Sequence, residues 1–241
     1  SIIPLRKEPN DTSELVSQIL YGESFTIIEK NSKWSLIELA FDQYQGWIDN
    51  KQYLQIDEHI FIKMSSTEPQ YSKNLVEYVY QNETILFPIF MGSSVGFCNL
   101  MNHHFDGAKI TQKQPKKGLI ETALMYLNAP YLWGGITPFG IDCSGLVQMV
   151  YKLNGHVLLR DASQQATQGE VLSFIEESEA GDLAFFDNKD GEIVHVGILL
   201  NDNYIIHAHG KVRIDRIDHL GIFNEDTGQH THQLRVIKKI I

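Results

Sequence analysis

The sequence predicts a multidomain protein in which two small all-β barrels precede an α+β domain, and three observations carry that prediction. Short apolar runs alternating with turn residues dominate the first half, which is how strands of small β modules read. Near Leu119 the pattern switches to helical spacing. Strand-like runs divided by hairpin-type turns then fill the last third, and helices followed by antiparallel strands make an α+β domain.

The first barrel is expected over residues 1–58. There "FTIIE" and "WSLIEL" flank "KNSK" as a hairpin would, and "GWI" after a polar turn marks a further strand. Residues 59–115 carry the β-like runs "VEYVY" and "ETILFPIF", then "GSSVGFCNL" and the turn-like "NHHFDG", which suit a second, divergent barrel. No clean internal repeat supports that reading, so it rests on size and position. The stretch "TQKQPKKG", with Pro115 and Gly118 as breakers, reads as a linker into a third domain at 116–241.

In that domain Leu119, Ala123, Tyr126 and Leu127 lie at helical spacing before Pro130. A turn-rich "YLWGGITPFGID" follows. Leu146, Val147, Val150, Tyr151 and Leu153 fall on one face of an amphipathic helix that stops at Asn154-Gly155, so Cys143 sits in its first turn. The runs "DLAFF", "IVHVGILL" and "NYIIHAHG" then predict strands separated by "DNKDG" and "NDN".

Composition narrows the functional classes. Twenty Lys and Arg against thirty Asp and Glu give a net charge of −10, and no segment is basic, which speaks against a nucleic-acid partner. With only Cys98 and Cys143 present, no disulfide framework is expected. No apolar run reaches the roughly 20 residues that span a bilayer. The first residues hold no signal-like apolar segment, so a cytoplasmic location is expected; the periplasm or cell envelope is the alternative if a leader was removed before Ser1.

Chemistry is concentrated around "IDCSGLVQMVY". Cysteine is commonly a buried small hydrophobe, but a helix N-terminus favours thiolate through its partial positive charge and its unpaired N–H groups. Asp142 is placed to cap that helix, and Gly145 lets another backbone approach. A nucleophilic thiol needs a base. A hairpin turning near Asn201 to Asn203 puts His195 opposite His207, Ala208 or His209; His207 and His209 share a face, so spacing does not choose between them. Two strand histidines one residue apart also suit a metal pair. His103-His104 and His230 with His232 lack a further Cys or acidic ligand to complete a set, so no metal or cofactor is expected. Cys98 reads as a structural thiol.

The ordered blocks "YLWGG", "DCSGLV", "AGDLAFF", "HVGILL" and "IIHA" resemble the NlpC/P60 cysteine peptidases of bacterial cell-wall metabolism, over residues 116–241. The resemblance implies a papain-like fold with Cys143 as nucleophile, His195 as base, His207 as the third polar residue, and Tyr131 near the nucleophile. Gly22-Glu23, Trp34 and Gly46-Trp47 likewise resemble bacterial SH3-like domains, which makes the two expected barrels SH3-like. SH3-like modules ahead of such a peptidase resemble a narrower subgroup, the γ-D-glutamyl-L-diamino acid endopeptidases. These cut muropeptides with a free N-terminal L-Ala and release L-Ala-γ-D-Glu. By that likeness Asp142 and Ser144 face the substrate amine and the D-Glu portion, and Arg160 and Asp161 match a recurring block. Glu14 and Tyr44 stand where the first SH3-like domain closes the cleft. An amidase or acyltransferase of the same fold, or a non-enzymatic wall-binding protein, are the alternatives.

Overall fold

The computed structural model describes residues 2–82 and 84–241. It divides into two compact units: Ser1–Gln112 with Trp133–Pro138, and Lys113–Leu132 with Phe139–Ile241.

The first unit opens with five strands, β1 (Ile2–Arg6), β2 (Leu15–Leu20), β3 (Phe25–Lys30), β4 (Trp34–Leu39) and β5 (Gln45–Asp49). They form one sheet in the order β2-β1-β5-β4-β3, with antiparallel neighbours. Alternation sends Leu5, Ile19, Ile37, Leu39 and Ile48 into a common core, with Phe25 packed against it, so all five strands contribute an inward side chain. The predicted hairpin around "KNSK" is the β3–β4 pair.

Beyond it lie helix α1 (Glu58–Ser66), β6 (Tyr71–Ser72), β7 (Val76–Gln81), β8 (Ile85–Phe90) and β9 (Lys109–Ile110). The run "VEYVY" and the "ILFPIF" part of the second run form the β7–β8 hairpin, and β6 pairs with β9. The start of this segment, expected to be β, is helical. Among the described residues its strands pair two by two rather than as a five-stranded sheet. The physical reason is a shortage of inward side chains: Val79, Ile89 and Val95 make its buried cluster, while Ile85, Leu86 and Phe87 of β8 are exposed. That cluster also gathers Tyr21, whose hydroxyl pairs with His103 Nδ1 at 2.9 Å.

The second unit starts with α2 (Lys117–Met125), which buries Leu119 and Ala123 as its spacing predicts. The chain then contributes β10 (Ile136–Thr137) to the first unit and returns with β11 (Gly140–Ile141), α3 (Cys143–Leu153) and α4 (Ala162–Gln165). Helix α3 departs from its expected amphipathic reading: all of its residues are buried, including Gln148 and Lys152. Gln148 is accommodated because its amide Nε2 donates to the Leu158 carbonyl at 3.0 Å. Buried amides are tolerated when bonded in this way.

Seven strands complete the unit: β12 (Glu170–Leu172), β13 (Leu183–Asp187), β14 (Ile193–Leu199), β15 (Tyr204–His209), β16 (Lys211–Ile217), β17 (Gly221–Asn224) and β18 (Gln229–Lys239). They are ordered β12-β18-β13-β14-β15-β16-β17, and β17 also pairs with β18. That last pairing closes six strands into a ring and removes its free edges. Ala184, Phe186, Leu199, Ile205, Ile217, Ile222 and Ile237 cluster inside. Gly197 faces His207 across β14 and β15; a Cβ there would lie 2.7 Å from the Ile205 side chain and 3.0 Å from the His207 Cβ. No helix among the described residues is long and apolar enough to cross a membrane.

Candidate active site

The site is built on the start of α3 and on the strands of the closed sheet. Asp142 caps α3 by accepting from the Gly145 backbone N–H at 2.6 Å. Cys143 is the first helical residue, and its sulfur accepts from the backbone N–H groups of Val196 and Ser144. Both cysteines are free thiols, with Cys98 half-buried and Cys143 buried.

The helix terminus does not decide the protonation of this thiol. Burial, followed by the negative charge of Asp142, pushes Cys143 up to about 12, outweighing the two backbone donors and the Arg160 charge. The resting group is therefore a neutral thiol rather than the thiolate expected from helix placement alone. Burial is the larger effect because α3 is internal, not a surface helix.

Behind it runs a hydrogen-bonded line of side chains. His195 Nε2 meets His207 Nδ1 at 2.8 Å, and His207 Nε2 meets Asp215 Oδ2 at 2.9 Å. His195, His207 and Asp215 are 5%, 0% and 4% exposed. Strand parity explains this: His195 shares a face with Leu199, His207 with Ile205, and Asp215 with Ile217, all residues of the inner cluster. Burial, reinforced by the surrounding histidines, holds His195 well below the ordinary imidazole range. Burial also lowers His207, although the Asp215 carboxylate opposes the shift. Burial alone would raise Asp215, but hydrogen bonds from His207 and Arg213 keep it below the usual carboxylate value.

The structure thus brings His195 and His207 together, and His207 rather than His209 bonds to the His195 ring. Asp215 was not singled out from sequence, and His232 was weighed there only with His230 as an incomplete metal set. Asp215 lies in "KVRIDRI", where an acid on the face that also carries Ile217 is the available signal. His232 stacks on His195 with ring centroids 4.2 Å apart; the sequence shows only a histidine in a polar strand. Burial, then the neighbouring histidines, lower His232 to about 4. Among the described residues no group of His, Cys, Asp and Glu could hold a metal ion.

Beside the thiol, Arg160 is almost completely buried and grips Asp142 with both ends of its fork: Nη1 to Oδ1 at 3.0 Å and Nη2 to Oδ2 at 2.7 Å. The same Nη1 donates to Ser144 Oγ at 2.9 Å. Gln165, also missed in the sequence, is fully buried and donates to the carbonyls of Ser144 at 3.0 Å and Leu159 at 2.9 Å. Asp161 precedes α4 as its N-cap, its backbone N–H donating to Gln164 Oε1 at 3.1 Å. Tyr131 is 36% exposed. Burial above all pushes its phenol up to about 12, so it stays a hydrogen-bond donor at neutral pH.

Glu14 and Tyr44 belong to the first unit. Tyr44 packs against the core of the first sheet. Glu14 accepts from Trp133 Nε1 at 2.9 Å and from Lys7 Nζ at 3.2 Å, and these bonds hold its carboxyl below the usual range.

The chain thus carries a five-stranded antiparallel sheet followed by a helix-and-closed-sheet unit with a cysteine at a helix start. Residues 128–232 match the NlpC/P60 family and residues 5–52 match the bacterial dipeptidyl-peptidase Sh3 domain, so the chain carries both an NlpC/P60 domain and that SH3 domain. It is 26% identical over 212 residues to a gamma-D-glutamyl-L-lysine dipeptidyl-peptidase of Bacillus subtilis (strain 168), covering 80% of this chain and 71% of the relative. It is also 26% identical over 249 residues to dipeptidyl-peptidase 6 of Lysinibacillus sphaericus, covering 89% and 88%. The crystal structure of an NlpC/P60 family protein from Bacillus cereus ATCC 10987 shares the fold, with a TM-score of 0.79 at 18% identity over 99% of this chain and 97% of that one.

Proposed function

We propose that the protein is a cysteine peptidase that hydrolyses the γ-D-Glu to L-diamino acid bond of muropeptides bearing a free N-terminal L-Ala, releasing L-Ala-γ-D-Glu. The observation that carries this reading is the thiol of Cys143 at the capped start of α3, beside the paired strands β14 and β15 that bear the linked His195 and His207. The names of the two relatives support the substrate class.

The resting pair dictates the order of events. Because the thiol is neutral, His195 takes its proton as the sulfur attacks the γ-glutamyl carbonyl. The positive end of α3, with Tyr131 as a neutral donor, is available to the developing oxyanion. The His195 imidazolium then protonates the leaving amine, and the neutral ring activates water to cleave the thioester. His207 holds the His195 ring throughout.

Recognition of the ammonium group calls for negative charge. The Arg160 guanidinium balances Asp142 and braces Ser144, so in this proposal these residues shape the floor beneath the D-Glu portion. Asp161, half-exposed at the head of α4, adds the further negative charge that meets the L-Ala ammonium.

The test is mass spectrometry of L-Ala-γ-D-Glu-L-Lys and its diaminopimelate counterpart after incubation with the wild type and with Cys143→Ala. Release of L-Ala-γ-D-Glu by the wild type alone is expected. Release by the alanine variant removes Cys143 from the mechanism, and release by neither moves the activity to a different amide or ester.

A further inference from the structure

We propose that Asp215, clamped by Arg213, is a positioning residue that fixes the tautomers of His207 and His195 and so selects which His195 nitrogen meets the thiol. The inference rests on the peptidase reading above and extends it by one residue that no strand-to-strand neighbour relation in the sequence reveals.

The argument is one of donors and acceptors. Asp215 receives Arg213 Nε on Oδ2 at 2.6 Å and Arg213 Nη2 on Oδ1 at 2.7 Å, a forked pair that keeps the carboxylate ionised. Arg213 is itself tied to Asp226 Oδ2 at 2.8 Å. An ionised carboxylate only accepts. His207 Nε2, 2.9 Å from Oδ2, must therefore carry the hydrogen. A neutral His207 then has a lone pair on Nδ1, so it accepts from His195 Nε2 at 2.8 Å. By elimination the bare nitrogen of His195 is Nδ1, the basic atom left to take the thiol proton. These tautomers are assigned from the bonding pattern.

Removing the acceptor at the far end breaks the chain of assignments. A His207 freed from Asp215 can carry its hydrogen on Nδ1, which then faces the Nε2 hydrogen of His195 and drives that hydrogen to Nδ1. The base would be presented with its proton already in place. Charge acts in the same sense. The groups around the His195 and His207 rings are His209 on β15, Arg213 and Asp215 on β16, His232 on β18 and Phe186 on β13. Asp215 is the anion in that set, so it favours the imidazolium formed when the thiol gives up its proton.

The experiment combines nitrogen-15 NMR of the imidazoles with steady-state kinetics on Asp215→Asn and Asp215→Glu. In the wild type at neutral pH, His207 and His195 are both expected as Nε2–H tautomers. Asp215→Asn is expected to populate Nδ1–H on His207 and to lower kcat by roughly 10²-fold, the scale of a misplaced general base, with KM within about threefold. Its acid limb should move to lower pH, because the anion favouring the protonated rings is gone. Asp215→Glu should recover much of kcat.

An Nδ1–H tautomer on wild-type His207, an unchanged kcat in Asp215→Asn, or an effect confined to KM would each overturn the proposal. Asparagine is near-isosteric, and the glutamate variant keeps the charge, so a folding defect in one variant leaves the other to decide. If the wild type cleaves neither tripeptide, the peptidase reading fails while this one is still read out. The tautomers, and the pH dependence of Cys143 alkylation by iodoacetamide in wild type against Asp215→Asn, report the positioning directly.

Discussion

The two β structures in this chain solve the same packing problem with opposite chemistry. The five-stranded sheet of residues 2–49 fills its core with Leu5, Ile19, Ile37, Leu39 and Ile48, a set without a charge. The closed sheet of the second unit packs Phe186, Leu199, Ile205 and Ile217 at one level and lines up His195, His207 and Asp215 on the same inward faces. An apolar core needs only volume and pattern, and it tolerates conservative exchange. A polar line in the same setting must be bonded along its whole length, since each orphaned partner costs stability in the low dielectric of the interior. The first arrangement yields a scaffold; the second yields a site whose groups are held in one protonation pattern.

The largest expected effect that sharpens this contrast comes from cutting the polar line. His195→Ala should reduce kcat/KM by roughly 10³-fold or more, while His207→Ala, which leaves the base in place, should cost about tenfold to a hundredfold. Steady-state hydrolysis of the tripeptide decides it, and a larger loss for His207 would invert the roles.

Next in size is the buried ion pair. Arg160→Met removes the cation from the buried Asp142 carboxylate and should destabilise the protein by about 3–5 kcal/mol in urea unfolding, with Arg160→Met/Asp142→Asn recovering part of the loss. Equal stability of the single variant and the wild type would show that the pair is dispensable.

The smallest effect is the response to acid. His195, His207 and His232 have folded values below the unfolded 6.5, so between the two values the unfolded chain binds more protons. Their contribution to stability is complete above about 6.5 and is lost as pH falls toward the folded values, about 4 for His232. The three tryptophans, Trp34, Trp47 and Trp133, all lie in the first unit. Urea transitions followed by tryptophan fluorescence should therefore shift less between pH 7.5 and pH 4.5 than those followed by far-ultraviolet circular dichroism. Equal shifts would erase the contrast between the two cores.

What could be read in the sequence was local. The start of α3 was legible because its signals, Asp142 and the periodic apolar residues after it, lie within one helix, and the β14–β15 hairpin because its turn residues sit between its strands. Helix α1 was missed because "EHIFIKMSS" carries a weak pattern and buries none of its residues. The closure of the sheet was not legible, since it depends on β18 pairing with both β13 and β17. The same non-local pairings bring His232 onto His195, and the diagonal reach of β16 brings Asp215 to His207. Arg160 stands in the sequence only as part of a recurring block, and only the fold shows that Asp142 occupies its guanidinium.

The buried, protonated state of Cys143 bears on survival under oxidative stress. Peroxides react with thiolates that they can reach, and climb from sulfenic to irreversible acids. A thiol pushed up to about 12 lacks the charge, and at 6% exposure it meets solvent far less than an open surface thiol. The half-buried Cys98 is the more accessible sulfur. The device that makes the nucleophile wait for its base also keeps it chemically intact between turnovers.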